Sequence, residues 1–515
     1  MNLVRYNNRL KAVIDRLLLS DALRAKTVRG GVWLGAGSIA EQAVRFARNM
    51  LLARLLAPGA FGTMAIVVSS ASLVDTLTDV GVRAAIIQNP RGDRETYLNA
   101  SWWLGFGRAL LSYAVIFVIA PWIARFYGRA ELSGLLRVAL LGVLFNGSIS
   151  PHSALAQRQM KLGRWAVITN GGGICGVILA VVLSFFLRDV WALAIGYCSE
   201  NFFRSVLSYS LCPGLPSRWW NRDAARDLLT FSRGIFGLTF LNLIVTRADI
   251  FVLAKLYSSA ALGLYTMAVA LVITPSFFLT NMLGQALLPA LSSVQEDTER
   301  LNRILVEVSS WVVSLGMPVA VCVSLCAPSL LSVIYGTRYV AAAGALAVAS
   351  AVVLLTALNA LPTGVLLARG RPGLHRESVA ATAAIMVVAI YPASRFMGTM
   401  GGQLAALLAI AAGYMLQLVR LCGSNGLNPT RYGRIFVTPT LGSLVMLGVV
   451  LGIRHLGLAT SATSDIALCL GGCGLAYAML AWAHVRPVKR PKNLCIPGTP
   501  ESPRPFDAPT SRVSL

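Results

Sequence analysis

The sequence predicts an all-α integral membrane protein, with about fourteen transmembrane helices arranged as two pseudo-symmetric lobes around a central cavity. Three observations carry that prediction. First, 56% of the 515 residues are hydrophobic and only 13% are charged, with a mean hydropathy of +0.67; a soluble chain carries about 25% charged residues. Second, apolar runs of about 20 residues, each long enough to cross a hydrocarbon core, recur between residues 30 and 485. Third, Lys and Arg alternate between dense and sparse loops, 27 on the side of the N-terminus and 7 on the opposite side. Cytoplasmic loops carry such an excess, so both termini are expected to be cytoplasmic and the number of spans even.

Taken in order, residues 1–29 read as a cytoplasmic amphipathic arm. Apolar residues at 10, 13, 14, 17 and 18 form one helical stripe beside basic residues, which suits the inner membrane surface. Asp15 interrupts the apolar run and no small-residue cleavage site follows, so the arm reads poorly as a signal peptide. The first lobe, 30–211, is expected to hold helices at 30–56, 61–88, 98–122, 134–156, 163–186 and 190–211. A cytoplasmic linker, 212–230, leads to the second lobe, 231–420, with helices at 231–255, 262–290, 304–327, 340–367, 377–394 and 400–420. Two additional helices, 435–453 and 464–484, occupy 421–486, and the proline-rich tail, 487–515, reads as disordered and cytoplasmic.

The lobes are inferred from an internal repeat. Residues 53–62, ARLLAPGAFG, align without gaps with 254–263, AKLYSSAALG, at an offset of 201. Arg54 meets Lys255, and Gly62 meets Gly263. Each stretch ends one helix and opens the next, and six helices separate the copies, so both have one orientation. Parallel repeats of this kind place a substrate site between the lobes.

Charges inside the spans mark the candidate site. Glu41, Arg45 and Arg48 share one face of the first helix, and Asp75, Asp79 and Arg83 one face of the second. Arg108, Glu200, Arg204, Arg247 and Asp249 lie in later helices. A charge at mid-bilayer costs at least about 2.5–3.5 kcal/mol, so each needs a partner or a wet cavity. Pairs such as Glu41–Arg45, Asp79–Arg83 and Glu200–Arg204 have the i, i+4 spacing of structural salt bridges, and Arg54 and Arg83 lie where they can snorkel to the interface. Glu41 alone cannot neutralise Arg45 and Arg48, which favours cavity lining for both and an anionic substrate such as a sugar acid or pyrophosphate. Arg45, Arg48, Arg108, Arg204 and Arg247 are therefore the substrate-contact candidates. Glu41, Asp75, Asp79, Glu200 and Asp249 are the ion-coupling candidates, because desolvation can raise a carboxyl pKa toward physiological pH.

Other classes find little support. The net charge of +24 follows from basic cytoplasmic loops, and no nucleic-acid-binding pattern stands out. The nine cysteines form no CxxC, the four histidines are scattered and HExxH is absent, so neither a redox motif nor a metal site is indicated. The glycine cluster GGGICG at 171–176 lacks the Lys-Ser/Thr of a phosphate loop and suits close helix packing. No cofactor is expected, and work would come from an ion or substrate gradient.

LLARLLAPGAFGTMAIV (51–67) followed by DVGVRAAIIQ (79–88) resembles the N-terminal signature of Wzx-type polysaccharide transporters, lipid-linked oligosaccharide flippases of the MOP superfamily, and RADIFVLAKLYSSAALGLYTMA (247–268) is similar to the start of that family's second lobe. The likeness spans residues 30 to about 485. It implies a MATE-like fold in the bacterial inner membrane. The implied activity is alternating-access movement of undecaprenyl-pyrophosphate-linked oligosaccharides for exopolysaccharide, O-antigen or capsule synthesis, with antiport in some members. It also implies membrane lipid and polymerase or chain-length proteins as partners, and a cavity lined by charges that Arg45, Arg48, Asp75, Asp79 and Arg247 match loosely. Three alternatives stay open: a peptidoglycan-precursor flippase, a drug or cation exporter with a more acidic cavity, and a membrane-embedded glycosyltransferase or polymerase. The last is disfavoured, as an enzyme reading is in general, because no outer loop exceeds about 15 residues.

Overall fold

The computed structural model describes residues 22–485, apart from 79–80, 82–84, 88, 90, 160, 215–216, 218–220, 233–235, 293 and 457–460. Most of the expected arm and all of the tail lie outside the described residues, as do Asp79 and Arg83. Every regular element among the described residues is helical, and each predicted stretch carries helix.

In the first half, α1 (Ala22–Leu55), α2 (Pro58–Thr78) and α3 (Glu95–Tyr127) are followed by the short helices α4 (Leu132–Ala139), α5 (Leu141–Gly147), α6 (His152–Arg158) and α7 (Leu162–Ala166). One π-turn, Val167–Gly171, leads into α8 (Gly172–Leu187), then α9 (Val190–Leu211) and α10 (Arg222–Ser232). The second half runs α11 (Phe236–Leu256), α12 (Ser259–Ser292), α13 (Thr298–Leu325), α14 (Ala327–Ile334), α15 (Ala343–Ala368), α16 (Pro372–Met397) and α17 (Met400–Asn425), and closes with α18 (Pro429–Gly433), α19 (Val437–His455) and α20 (Ala462–Val485).

Nine helices among the described residues are long and apolar enough to cross a membrane, ten with one bent pair. The chain is thus a multi-pass membrane protein. Helices α1 and α9 fall short of that hydropathy because they carry the intramembrane charges. The bent pair corrects the expectation of one continuous helix over 134–156: Leu132–Gly147 and His152–Arg158 meet at 60°. Pro151 is the N-cap of the second piece, and the backbone at the bend is satisfied by α9, where Ser208 Oγ accepts from the Ser150 backbone N–H at 2.9 Å. The first helix already runs through Ala22–Arg29, ahead of the expected start at 30, since nothing in ALRAKTVR breaks it. The expected linker contains α10, whose Ala224, Ala225 and Leu228 bury against Tyr97 and Leu98 of α3.

The repeat is visible in the packing. Helices α1 and α11 end at Leu55 and Leu256, and α2 and α12 begin at Pro58 and Ser259, both at the offset of 201. Helices α2 and α12 make the principal contact between the two halves. A Cβ on Gly62 would lie 1.9 Å from the Ser259 carbonyl oxygen, and one on Gly263 would lie 1.8 Å from that of Pro58. Position 62 therefore touches 259 as 263 touches 58, a reciprocal contact that only a two-fold relation of the repeats generates. The flanking cations cross the same boundary. Arg54 Nη2 donates to the Val333 carbonyl at 2.9 Å and Lys255 Nζ to that of Phe126 at 2.5 Å. Arg54 thus contacts the other half while its side chain stays exposed. Around these contacts a core joins Leu52, Phe61 and Val67 to Leu253, Tyr265 and Tyr339, closing the bundle at the end where α1 and α11 terminate.

Candidate functional site

The charges separated along the sequence gather into two groups. The first is built by α1, the π-turn and α9. Arg45 sits at its centre. Its Nη1 and Nη2 donate to Glu200 Oε1 and Oε2 at 3.1 and 2.6 Å, while Nε and Nη2 donate to Glu41 Oε1 at 3.0 and 2.8 Å. This forked geometry is the strongest that a guanidinium offers a carboxylate. Arg48 Nη1 lies 3.8 Å from Glu200 Oε1, and among the described residues its Nε and Nη2 bond only the neighbouring Asn49 Oδ1. Arg204 Nη2 is 3.6 Å from Glu41 and 3.9 Å from Glu200, with Nε on the Thr169 carbonyl at 3.1 Å. The Asn170 amide, oriented to satisfy both its groups, donates to Glu41 Oε2 at 2.8 Å and accepts from the Ser38 N–H at 3.2 Å.

Three guanidinium groups thus face two carboxylates. Glu200 is 7% exposed and Glu41 15%, whereas Arg48 and Arg204 keep 22% and 27% of their side chains open. The carboxylates are the more buried partners, and Arg45, at 25%, is as open as the other two guanidinium groups. The offset of 201 maps Glu41 and Arg45 onto Asn242 and Thr246, so the charged group has no counterpart in the second half.

GGGICG makes this group possible. A Cβ on Gly172 would lie 2.7 Å from Arg204 N, one on Gly173 2.4 Å from Glu41 Oε1, and one on Gly176 2.7 Å from both Glu200 N and Cα. The glycines let α8 lie against the charged face of α9, the packing role that their place in an apolar run suggests. Gly176→Ala is therefore expected to push α9 and Glu200 away and to lower stability by about 1–3 kcal/mol. Gly171→Ala meets nothing closer than 3.5 Å and should be silent by comparison. Thermal unfolding in detergent distinguishes the two.

The second group lines a cavity of about 390 Å³ between α2, α3, α5, α6 and Thr239 of α11. Arg108 Nη1 bonds Asp75 Oδ1 at 3.2 Å, the Asp75 carbonyl at 3.3 Å and Thr78 Oγ1 at 3.2 Å. Trp102 and Asn146 share the wall. The Glu41–Arg45 group is not part of that wall. Tyr197 is partly buried on α9, three residues before Glu200. Arg247 is half-buried and joins no hydrogen bond or ion pair among the described residues. Asp249 accepts from Tyr265 Oη at 2.6 Å, and Gln403 Nε2 donates to the same hydroxyl at 2.6 Å.

The sequence alone did not reveal Glu200 as the partner of Arg45; the i, i+4 pairing it suggested with Arg204 is the weaker contact, at 3.9 Å. Asn170, Tyr197, Tyr265 and Gln403 were also missed. Asn170 and Gln403 did carry a signal, as lone amides inside apolar runs.

With the geometry in hand, comparison with known proteins gives a consistent answer. The lipopolysaccharide biosynthesis protein WzxC of Escherichia coli (strain K12) is 21% identical over 439 residues, covering 82% of this chain and 83% of that protein. The succinoglycan biosynthesis transport protein ExoT of Rhizobium meliloti (strain 1021) is 23% identical over 291 residues, 56% of this chain and 58% of that protein. Among solved structures, the lipid II flippase MurJ in an inward closed conformation superposes with a TM-score of 0.74, covering 88% of this chain and all of that one, at 12% identity. That likeness shows that the two chains share a fold. Finally, the profile of the polysaccharide biosynthesis protein family matches residues 51–344, more than half of the chain and both copies of the repeat, and the chain belongs to that family.

Proposed function

We propose that the chain is a transporter that flips lipid-linked oligosaccharide units, carried on undecaprenyl pyrophosphate, across the bacterial inner membrane by alternating access of its two lobes. The observation that carries the reading is the charge surplus of the α1–α9 group. Three guanidinium groups and two carboxylates leave one positive charge, which we place on the mostly buried Arg48 and Arg204, the two that the carboxylates hold least closely. An uncompensated cation in a low-dielectric setting is costly, and a pyrophosphate offers it charge-assisted contacts. Arg45 is the positioning brace, because both carboxylates already engage it. Arg48, Arg204 and Arg247 are the substrate contacts, with Arg108 and Asp75 on the adjoining cavity wall. The names of the relatives support polysaccharide units over the peptidoglycan precursor, since the likeness to the lipid II flippase is one of fold. Transport rather than enzymatic turnover fits the same relatives.

In this reading both termini are cytoplasmic, the chain makes fourteen spans, and the lobes are 30–211 and 231–420, joined by 212–230 and followed by a helix pair in 421–486. A periplasm-dependent reporter fused after residue 490 should be inactive; a strong signal there would invert the orientation. Polymerase and chain-length proteins are the partners that would take the flipped unit.

Arg48→Ala is expected to lose most transport at normal protein level, with lipid-linked precursor accumulating on the cytoplasmic leaflet. Arg48→Lys should lose less, since it keeps the charge and gives up only the fork. Coupling to a cation or proton is assigned to Asp75, the acid on the cavity wall. Asp75→Asn should abolish the dependence of flipping on an imposed gradient while the protein level is kept. Native gradient dependence in that variant would move the coupling elsewhere. Glycan analysis of a deletion strain identifies the polymer served.

A further inference from the structure

We propose that the two lobes part in a fixed order at the end where α1 and α11 terminate: α1 comes away from α14 first, while α11 stays clasped to α3. The repeat shows why. The last four carbonyls of a helix have no donor within it, and here the opposite half supplies donors in equivalent places. Arg54, in the last turn of α1, donates to Val333, one residue before the end of α14. Lys255, its equivalent in the last turn of α11, donates to Phe126, one residue before the end of α3. Each contact is returned. Tyr339 Oη, beyond the end of α14, reaches the Ala53 carbonyl of α1, and Arg129 Nη2, beyond the end of α3, reaches the Ala254 carbonyl of α11. Positions 53 and 254 are again 201 apart. The bundle therefore closes with two clasps, α1–α14 and α11–α3, related by the repeat.

The clasps are unequal. In the first, one exposed cation makes one bond, Arg54 Nη2 to Val333 at 2.9 Å. Its Tyr339 contact is 3.5 Å long, beyond the roughly 2.5–3.0 Å of an ordinary hydroxyl bond. The second clasp has two cations at helix C-termini, where the dipole favours them. Lys255 Nζ lies 2.5 Å from the Phe126 carbonyl and 4.4 Å from the centre of the Phe126 ring. Arg129 Nη2 donates to the Tyr257 carbonyl at 3.0 Å and to that of Ala254 at 3.4 Å. Tyr257 is itself anchored, its Oη donating to the Ser394 carbonyl at 2.6 Å. Each clasp keeps one buried polar atom without a hydrogen-bond partner among the described residues, Tyr335 Oη in the first and Arg129 Nη1 in the second, so these do not rank them. Helix packing does. Among the described residues α11 packs on α2 more extensively than its equivalent α1 packs on α12.

Every clasp bond ends on a backbone carbonyl at a helix terminus. Water entering at that end can take over from the donor, so the clasps break reversibly and the weaker one breaks first. The order is independent of the substrate carried and of which membrane face this end meets.

The test measures two distances in the purified full chain in liposomes by double electron–electron resonance. Spin labels are carried on p-acetylphenylalanine, which leaves the nine native cysteines in place. Ala57 with Thr337 reports on the first clasp and Ser258 with Ala130 on the second; all four positions are exposed. In the parent chain the long-distance population of the 57/337 pair should exceed that of the 258/130 pair. Arg54→Gln should raise the long-to-short ratio of the 57/337 pair by about tenfold, the value of one charge-assisted bond, and move the 258/130 pair less. Lys255→Gln combined with Arg129→Gln strips both cations from the second clasp and should reverse the ranking. The parent comparison decides the order even where a variant fails to fold. Equal long populations in the parent chain, or a larger one in the 258/130 pair, would overturn the proposal. So would a ranking that survives the loss of both cations, or no long population in the parent chain or either variant.

Discussion

Glu200→Gln is expected to produce the largest single loss of stability. Glu200 is 7% exposed and both its oxygens accept from Arg45, with Arg48 at 3.8 Å and Arg204 at 3.9 Å. The amide keeps the shape and removes the charge, so three guanidinium groups are left facing Glu41 alone. Removing one member of a buried ion pair costs about 3–5 kcal/mol, because the remaining charges stay desolvated without compensation. The variant should therefore melt well below the parent chain in detergent and accumulate to a lower level in cells. Adding Arg45→Gln removes the stranded cation and should recover much of the stability. Transport should not return with it, since Arg48 and Arg204 lose the framework that holds them. A Glu200→Gln protein of native stability would mean the group is hydrated and does not brace α1 against α9.

Gly62→Ala and Gly263→Ala rank second. Each added methyl would fall within 2 Å of a backbone carbonyl oxygen, that of Ser259 or Pro58. Backbone at a helix start cannot rotate aside as a side chain can, so the halves themselves must part. Overpacking of this kind costs about 1–3 kcal/mol, and about 1.4 kcal/mol is a tenfold change in an equilibrium. Because the contact is reciprocal, the two variants should behave alike. Each should shift the protein away from the state closed around Tyr265 and Tyr339, and transport should fall by about tenfold or more. Maleimide labelling of a cysteine placed at Tyr339 should rise in both. Unchanged labelling and transport would show that the lobes do not hinge on this contact.

How much of this was legible in the sequence depends on the range of the interaction. Helix positions were legible because an apolar run declares itself residue by residue. The repeat was legible because Gly62 and Gly263 serve the same close contact and so sit in equivalent local sequence. The kink before Pro151 was missed although the proline was in view, because the break needs Ser208 of another helix to satisfy it. The site was legible as a set of charged residues and not as a network. Glu41 and Arg45 are one turn apart, but Glu200 is separated from Arg45 by 155 positions, and no local period encodes that meeting. The inference that Glu41 alone served two arginines followed from looking at one helix. In the proposed reading the second acid makes Arg45 the brace and leaves Arg48 and Arg204 as the substrate contacts.

The central claim is that this surplus charge carries the anionic part of a lipid-linked oligosaccharide across the membrane. The most direct measurement is leaflet-resolved flipping of an undecaprenyl-pyrophosphate oligosaccharide in liposomes containing the purified full chain, read by the access of an external glycosidase. The account predicts rapid movement to the accessible leaflet with the parent chain, and little above protein-free liposomes with an Arg48→Ala, Arg204→Ala double variant that reconstitutes equally well. Equal flipping by the parent and the double variant, or none by the parent, would contradict it.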